Sequence, residues 1–447
     1  MSFVVILFSI ISLVAIFYKA TKYKVAILLL SYMLFSLVNI PFLPIGRMEL
    51  LVPLCFIISE FKRLKKAFGS IQSDLLKKLA IVLGISSLLL IIGSPHLKDL
   101  NMIRFFFQEE ILAKYLILWC AYFVLTDYND CKVALRLTFY GMLALTAVGL
   151  LNYLTKTAYY VDEMMSFWGS SDDYSRMFYF SDRFRNQSMF RNPFDYGYIC
   201  SLILLFHFWG FKKGLEKKSV FLVVLGCCLF GIWTCGSRTV FFCSLLAIAS
   251  YFLTAYNLKK VFLYASLTAL ISVISFRFIP SISERLEETI SIFDDKSQMS
   301  GSTMEGREIQ FAAVFSHIKD DWLFGRGYMY FVQDLGWGKG KEYLVDQDLY
   351  GLEGVGMNYL LERGVIGLIL YATFYILILM FIFRHRNIVD RHTVSLGTSV
   401  ILLYISFANM TGELRSVPPT LLLIGLVLKL IDNEKNKPLK VVNNRAI

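Results

Sequence analysis

The segment VGMNYLLERGVIGLILYATFYILILMFIF, residues 355–383, is a nearly unbroken apolar run. It follows a long polar stretch at 278–352, which itself follows another apolar run at 261–278. Runs of about 20 apolar residues recur along the chain, and this length is typical of transmembrane segments. Because hydrocarbon offers the backbone no hydrogen-bonding partners, we expect these segments to be helices. They lack the alternation of apolar and polar residues that the strands of a transmembrane barrel show.

Composition supports the same conclusion. Of the 447 residues, 56% are hydrophobic and 18% are charged, with a mean hydropathy of +0.58, whereas an average soluble domain is about 25% charged. A soluble fold could not bury this much apolar surface. We therefore predict an all-α polytopic membrane protein with about 12–14 transmembrane helices. The candidate spans are residues 3–18, 25–42, 48–61, 79–92, 110–125, 133–154, 194–211, 220–235, 239–256, 261–278, 355–383, 393–410 and 417–431.

Lysine and arginine are concentrated in alternate connections between these spans. The basic connections are residues 19–24, 62–78, 132, 212–218, 259–260, 384–391 and the C-terminal tail. Cytoplasmic loops carry such an excess, so we place this set in the cytoplasm and the N-terminus outside. The net charge of +11 then reflects these loops, and it does not indicate a nucleic-acid partner. The polar stretches 155–193 and 278–352, and the turn at 236–239, are predicted to face outward.

This topology divides the chain into four regions. They are residues 1–193 with the first helices and the first outer loop, 194–277 with the central helices, 278–352 with the long extracytoplasmic loop, and 353–447 with the last helices and a cytoplasmic tail. The outer face holds no ATP or nucleotide sugar, so an enzyme there needs a substrate that is already activated, such as a lipid diphosphate. The sequence has no Walker-type loop, dinucleotide fingerprint or His-x-x-x-His pair, and we predict no metal and no other cofactor.

Three arginines are candidates for binding an anion on the outer face. Arg238 follows Gly-Ser at the head of a span, where it is either an end-of-helix arginine that reaches the interface or a phosphate clamp. Arg307 begins a candidate amphipathic helix at 307–317 and is either a solvated charge or a second clamp. Arg326 lies between two glycines, in what is either simply a tight turn or a turn that lets the backbone approach a ligand.

The start of the 355–383 segment carries further candidates. Glu353 is either a charge that stabilises a helix N-terminus or a general base at the lip of a cavity. Asn358 and Tyr359 follow within the first turns, where helix packing is the alternative role. The adjacent Glu362 and Arg363 would lie deep in a span, where they need partners, unless the helix first runs along the membrane surface.

The order of these features resembles the O-antigen ligase / Wzy-type polymerase superfamily of bacterial polysaccharide membrane enzymes. A Ser-Arg-Thr helix start at 237–239 precedes a long outward loop, which contains an arginine and a Leu-Phe-Gly-x-Gly turn at 323–327. A Glu-x-Gly-x-x-Gly segment at 362–367 follows, and Asn192-Pro193 resembles the family's Asn-Pro helix start. The resemblance covers roughly residues 191–383 and implies a GT-C-like fold.

The resemblance implies transfer of a glycan from undecaprenyl diphosphate to an acceptor hydroxyl, without a metal, on the outer face of the bacterial cytoplasmic membrane. Arg238 and Arg307 match the family's two diphosphate-binding arginines. Glu353 stands where the ligase branch has a histidine, and Phe242 stands where it has a leucine. These departures favour a polymerase of O-antigen, capsule or exopolysaccharide repeat units, with Glu353 as the base, over an O-antigen ligase. The substrate-binding candidates are Arg191, Asn192, Arg326, Asn358 and Tyr359.

The partners implied are an undecaprenyl-diphosphate-linked oligosaccharide, membrane lipids and a chain-length regulator. A function of another class stays open, because a flippase for lipid-linked oligosaccharides would also use arginines on a diphosphate. Transporters usually show repeated halves, and this sequence has no obvious internal repeat. A structural component of a polysaccharide export complex is a third alternative.

Overall fold

The fold is known from a computed structural model, which describes residues 2–38, 47–69, 73–124, 127–167, 179–180, 183–257, 259, 304–336, 345–349, 352, 354–412 and 417–436. These residues are nearly all helical. Two strands of two residues each, β1 (Tyr179–Phe180) and β2 (Arg183–Phe184), pair in antiparallel register. The predicted span 261–278 and a large part of the long loop at 278–352 lie outside the described residues.

The helices are numbered in chain order through the described ranges. They are α1 Ser2–Tyr18, α2 Thr21–Leu34, α3 Met48–Ser59, α4 Phe61–Gly69, α5 Asp74–Gly93, α6 Leu100–Phe106, a π-helix Phe107–Tyr115, α7 Leu116–Val124, α8 Tyr128–Thr155, α9 Tyr159–Phe167, α10 Pro193–Lys212, α11 Lys218–Thr234, α12 Arg238–Ala255, α13 Met304–Ile318, α14 Tyr330–Gln333, α15 Val355–Arg384, α16 Arg391–Thr411 and α17 Val417–Lys435. Short 3-10 turns lie at Pro95–Lys98 and Gln347–Leu349.

Six of the described helices are long and apolar enough to cross a membrane, namely α5, α8, α10, α12, α15 and α16. Three shorter apolar helices are Val5–Tyr18, Met48–Ser59 and Lys218–Thr234. Each of these nine overlaps a span expected from the sequence. The prediction of an all-α polytopic membrane protein is therefore confirmed, while the total of about 12–14 spans stays a prediction.

Two helix starts follow from local sequence signals. The Asn192 side chain accepts a hydrogen bond of 2.9 Å from the Phe194 amide, and Pro193 is the first residue of α10. Gly236, with a φ of +67°, turns the chain after α11. The Ser237 hydroxyl then accepts a hydrogen bond of 3.2 Å from the Val240 amide, at the start of α12. Asparagine and serine are preferred caps, and proline is favoured at the first helical position.

Several of the basic connections meet at one end of the helix bundle, here called the basic end. Lys213, after α10, lies 3.4 Å from Asp390, before α16, and its ammonium lies 4.7 Å from the centre of the Tyr128 ring at the start of α8. Arg391 donates a hydrogen bond of 3.3 Å to Asn257, which follows α12. The opposite end, called the site end, carries the N-termini of α10 and α12 and the C-terminus of α16.

Helix α15 is broken, although the sequence predicts one continuous span at 355–383. Gly364 has non-helical angles, with φ 62° and ψ −168°, and separates residues 355–363 from residues 365–384. The second part has 20 residues and is about 30 Å long, which matches the thickness of a hydrocarbon core. The first part is therefore a separate half-helix, and its residues do not share the span of the second part.

Candidate functional site

The break in α15 is filled by the turn at residues 322–327. The amides of Arg326 and Gly327 donate to the carbonyls of Leu361 and Glu362, each over 2.9 Å. The amides of residues 365 and 366 donate to the carbonyls of residues 322 and 323, over 2.9 and 3.2 Å. These four hydrogen bonds pair backbone groups that a continuous helix would have paired internally. The turn and the broken helix therefore form one structural unit.

Glycines allow the two backbones to approach this closely. A Cβ added to Gly325, whose φ is +72°, would lie 2.5 Å from the Gly364 nitrogen. A Cβ on Gly364 would collide with the backbone of Leu323. From the sequence, the glycines of the turn indicate either simply a tight turn or a place where the backbone approaches a ligand. In the structure, this close approach is made to α15.

The same turn is attached to the end of α5. The Tyr328 amide donates a hydrogen bond of 2.6 Å to the Ser94 hydroxyl, and a Cβ on Gly327 would lie 2.8 Å from the Ser94 Cα. The Tyr328 ring packs edge-on against Phe106, with 5.2 Å between ring centres. The turn thus lies beside the C-terminal end of a candidate membrane span.

Arg326 contacts the end of α13. Its Nε donates a hydrogen bond of 2.6 Å to the His317 carbonyl, and its Nη1 lies 2.7 Å from the Asp321 carboxylate. His317 in turn pairs with Asp346 over 3.0 Å. These contacts stabilise the C-terminus of α13, and a substrate-binding role for Arg326 stays a prediction.

Arg307 and the start of α12 lie at the same end of α16. The Nη2 of Arg307 donates a hydrogen bond of 3.1 Å to the Met410 carbonyl, in the last turn of α16. The Met410 sulfur lies 3.9 Å from that of Cys243. Helices α12 and α16 pack along each other in opposite directions, since Thr254 near the end of α12 donates to Ser395 near the start of α16 over 2.8 Å. Arg238 precedes Cys243 by five residues, or about 7.5 Å of helix, toward the site end.

The chain that follows Glu353 also contacts the C-terminus of α16. Glu353 lies outside the described residues, but Gly354, with a φ of +102°, packs against the residue before Met410: a Cβ there would lie 2.7 Å from the Asn409 carbonyl oxygen. The Gly356 amide donates to the Asn409 side chain over 3.2 Å. Three elements that carry sequence candidates therefore meet around the C-terminus of α16: α12, α13 and the start of α15.

The remaining candidates occupy two other positions. Arg191 is exposed and Asn192 caps α10, as described above. Asn358 lies in the first turn of α15, where its amide donates to the Gly354 carbonyl over 3.2 Å. Tyr359 is buried, and its hydroxyl lies 2.9 Å from that of Tyr115. Roles for these residues in substrate binding stay predictions.

Arg185 is a cation at the site end that the sequence did not single out. A Cβ on Gly236 would lie 3.0 Å from the Arg185 Cγ, which places this arginine beside the turn that leads to Arg238. The next residue fixes the backbone, because the Asn186 amide donates to the Thr234 carbonyl over 3.0 Å. The Asn186 side chain also donates to the Gly149 carbonyl over 2.8 Å. The signal available in the sequence was an arginine directly before a polar, cap-like Asn-Gln-Ser segment.

A buried ionic network lies next to the break at Gly364 in α15. Glu110 bonds Lys114 at 2.8 Å, one turn away on the π-helix, and Arg363 at 3.1 Å from across the bundle. The Arg363 guanidinium lies 4.0 Å from the centre of the Tyr359 ring. A Cβ on Gly367 would collide with the Arg363 side chain. The two glycines of the Gly-x-x-Gly segment thus have different roles. Gly364 breaks the helix, and Gly367 makes room for the Arg363 side chain.

No protein-family model matches the chain, and no curated protein matches it either. Within the described part of the chain, no three His, Cys, Asp or Glu side chains are grouped closely enough to hold a metal ion. The candidate site consequently rests on the geometry around the C-terminus of α16.

Proposed function

We propose that this protein is a polysaccharide polymerase, which transfers a glycan from undecaprenyl diphosphate to the hydroxyl of an acceptor sugar. The observation that carries the proposal is the meeting of three elements at the end of α16. Arg307 bonds the Met410 carbonyl there, Cys243 on α12 contacts the same residue, and Gly354 packs against Asn409. These are the elements that carry Arg307, Arg238 and Glu353.

The proposed chemistry follows from the charges of these groups. The diphosphate leaves with negative charge, and two guanidiniums in a partly dry cavity would stabilise that charge. The Glu353 carboxylate would take the proton from the attacking sugar hydroxyl as the new bond forms at the anomeric carbon. One such displacement breaks the bond from the sugar to the diphosphate and inverts the configuration at that carbon.

The orientation of the bundle supports an outer active site. Lysines and arginines of separate connections gather at the basic end, through contacts such as those of Lys213 with Asp390 and of Arg391 with Asn257. By the positive-inside rule this end belongs in the cytoplasm. The site end then faces the extracytoplasmic side of a bacterial cytoplasmic membrane, where lipid-linked glycans are available.

Purified protein in liposomes that contain a lipid-linked repeat unit tests the proposal. A ladder of longer products supports a polymerase, whereas movement of the substrate across the membrane without elongation would indicate a flippase. We expect Arg238→Ala and Arg307→Ala to lower turnover about 10²–10³-fold, as loss of a donor to a developing anion does. Arg386→Ala removes the same charge from an exposed position at the basic end and serves as the matched control.

Glu353→Gln tests the base in the same assay. Loss of a general base lowers turnover by about 10²–10⁴-fold, and the amide keeps nearly the same volume. Normal elongation by this variant would remove Glu353 from the mechanism and leave the two arginines to be judged separately.

A further inference from the structure

Helix α13 and the turn after it expose large apolar side chains. Phe311 is 47% exposed, Phe315 45%, Trp322 52% and Phe324 52%. These four residues are called the aromatic face here. The opposite side of α13 is covered, since Val314 packs with buried residues of α15. A large contiguous patch of exposed apolar side chains marks a site of interaction with protein, ligand or membrane.

The aromatic face continues the outward surface of a membrane span. Phe324 lines a small fissure together with Leu89 and Leu90 of α5 and with Gly367 and Leu370 of α15. Helix α5 also carries an exposed ridge at helical spacing, formed by Ile81, Ile85, Leu88 and Ile92. The ridge runs along the candidate span Asp74–Gly93, the helix whose Leu89 and Leu90 lie with Phe324 in the fissure.

The depth of the turn is fixed by its attachment to α5. The Tyr328 amide bonds Ser94, the residue directly after the span, over 2.6 Å. Residues 322–324 therefore lie at the level where the candidate span ends. Tryptophan is enriched at this level in membrane proteins, because its ring is amphipathic and its N–H reaches the polar headgroups.

We propose that the aromatic face of α13 and the 322–324 turn is inserted into the interface of the phospholipid bilayer. The apolar side chains would contact the upper acyl chains, while the exposed Lys319, Asp320 and Asp321 remain in the aqueous headgroup region. Because α13 carries Arg307, the bilayer would hold this guanidinium at the depth of lipid phosphates. The inference rests on exposure and attachment, and it holds whether or not the protein transfers glycans.

Fluorine NMR of the full-length protein in nanodiscs tests this placement. All six tryptophans are replaced by fluorotryptophan, and Trp322→Phe identifies the signal of residue 322. We expect a nitroxide near the top of the lipid acyl chain to broaden this signal, and a paramagnetic chelate in the water to leave it sharp. Trp209 is completely buried and should respond to neither probe.

Two other results would overturn the proposal. Broadening by the aqueous chelate alone would place the aromatic face in water. A signal that neither probe affects would mean that protein covers this face, either another segment of the chain or a second copy.

A second pair of variants tests α13 itself in the Trp322→Phe background. Phe315→Trp puts the reporter on the aromatic face, and Gln333→Trp puts it at an exposed position of α14 outside that face. We expect the lipid probe to affect only the first and the aqueous chelate only the second. Equal responses at both positions would contradict an inserted face, even if Trp322 itself touched lipid.

Discussion

Replacing Gly364 by alanine should open the junction between the 322–327 turn and α15. The residue has φ 62° and ψ −168°, a combination that is open almost only to glycine and costs other residues about 1–3 kcal/mol. The added Cβ would also collide with the backbone of Leu323 and lie 2.6 Å from the Gly325 nitrogen. Neither neighbour is a flexible side chain, so the clash is relieved only by moving one backbone away from the other.

The total loss depends on how far the junction opens. Four backbone hydrogen bonds cross it, and each contributes about 0.5–1.5 kcal/mol net in a protein. Loss of all four would add about 2–6 kcal/mol to the cost of the strained conformation. The attachment of the turn to α5 would also weaken, since Gly327 both bonds Glu362 and packs on Ser94.

Thermal unfolding of the purified protein in nanodiscs measures this effect. Gly84→Ala is the matched control, because Gly84 lies within α5 and an added Cβ there meets no atom within 4 Å. Alanine favours a helix over glycine by about 0.8–1.0 kcal/mol, so the control should unfold at the wild-type temperature or above it. If Gly364→Ala unfolded together with Gly84→Ala, the proposed coupling of turn and broken helix would be wrong.

Four further single substitutions probe other parts of the structure. Glu110→Gln should destabilise the protein by about 3–5 kcal/mol, since it leaves the buried Arg363 without its carboxylate partner. Arg363→Met should cost less, since Glu110 keeps its ion pair with Lys114, and the double variant should lose less than the sum, as a double-mutant cycle in thermal unfolding would show. Asn192→Ala should lower stability by about 0.5–2 kcal/mol through loss of the cap of α10, and an unchanged melting temperature would contradict that role. Arg307→Lys should keep the charge but lose the planar fork, so a turnover equal to that of wild type would argue against a bidentate phosphate clamp.

Local signals explain how much of the fold could be predicted. Asn192-Pro193 and Gly236-Ser237 set the starts of α10 and α12 through bonds to amides only a few residues away, so the sequence contains all the information needed. The distribution of Lys and Arg likewise indicated which connections share an end of the bundle. These features depend on neighbouring residues or on summed charge, and both can be read without a structure.

The break at Gly364 could not be predicted in the same way. Glycine is common in transmembrane helices, so a Gly-x-x-Gly inside an apolar run fits a continuous span. The groups that stabilise the break are backbone amides and carbonyls of residues 322–327. Backbone bonding leaves no trace in side-chain composition. The ion pair between Glu110 and Arg363 could not be predicted either. The two residues are 253 positions apart in the sequence, and their pairing depends on how α15 is placed.

The contact between the 322–327 turn and α15 also changes what can be inferred about function from the two glycine motifs. The Leu-Phe-Gly-x-Gly turn and the Glu-x-Gly-x-x-Gly segment are bonded to each other, and their glycines are needed for that contact. Their joint presence is therefore explained by folding, and it carries no information about a reaction. Arg238, Arg307 and Glu353 are different, because they lie outside the two glycine motifs, and the Arg307 side chain itself makes the contact of α13 with the Met410 carbonyl. The argument for diphosphate chemistry should consequently be tested on these three residues, and variants of the glycine motifs should be judged by stability.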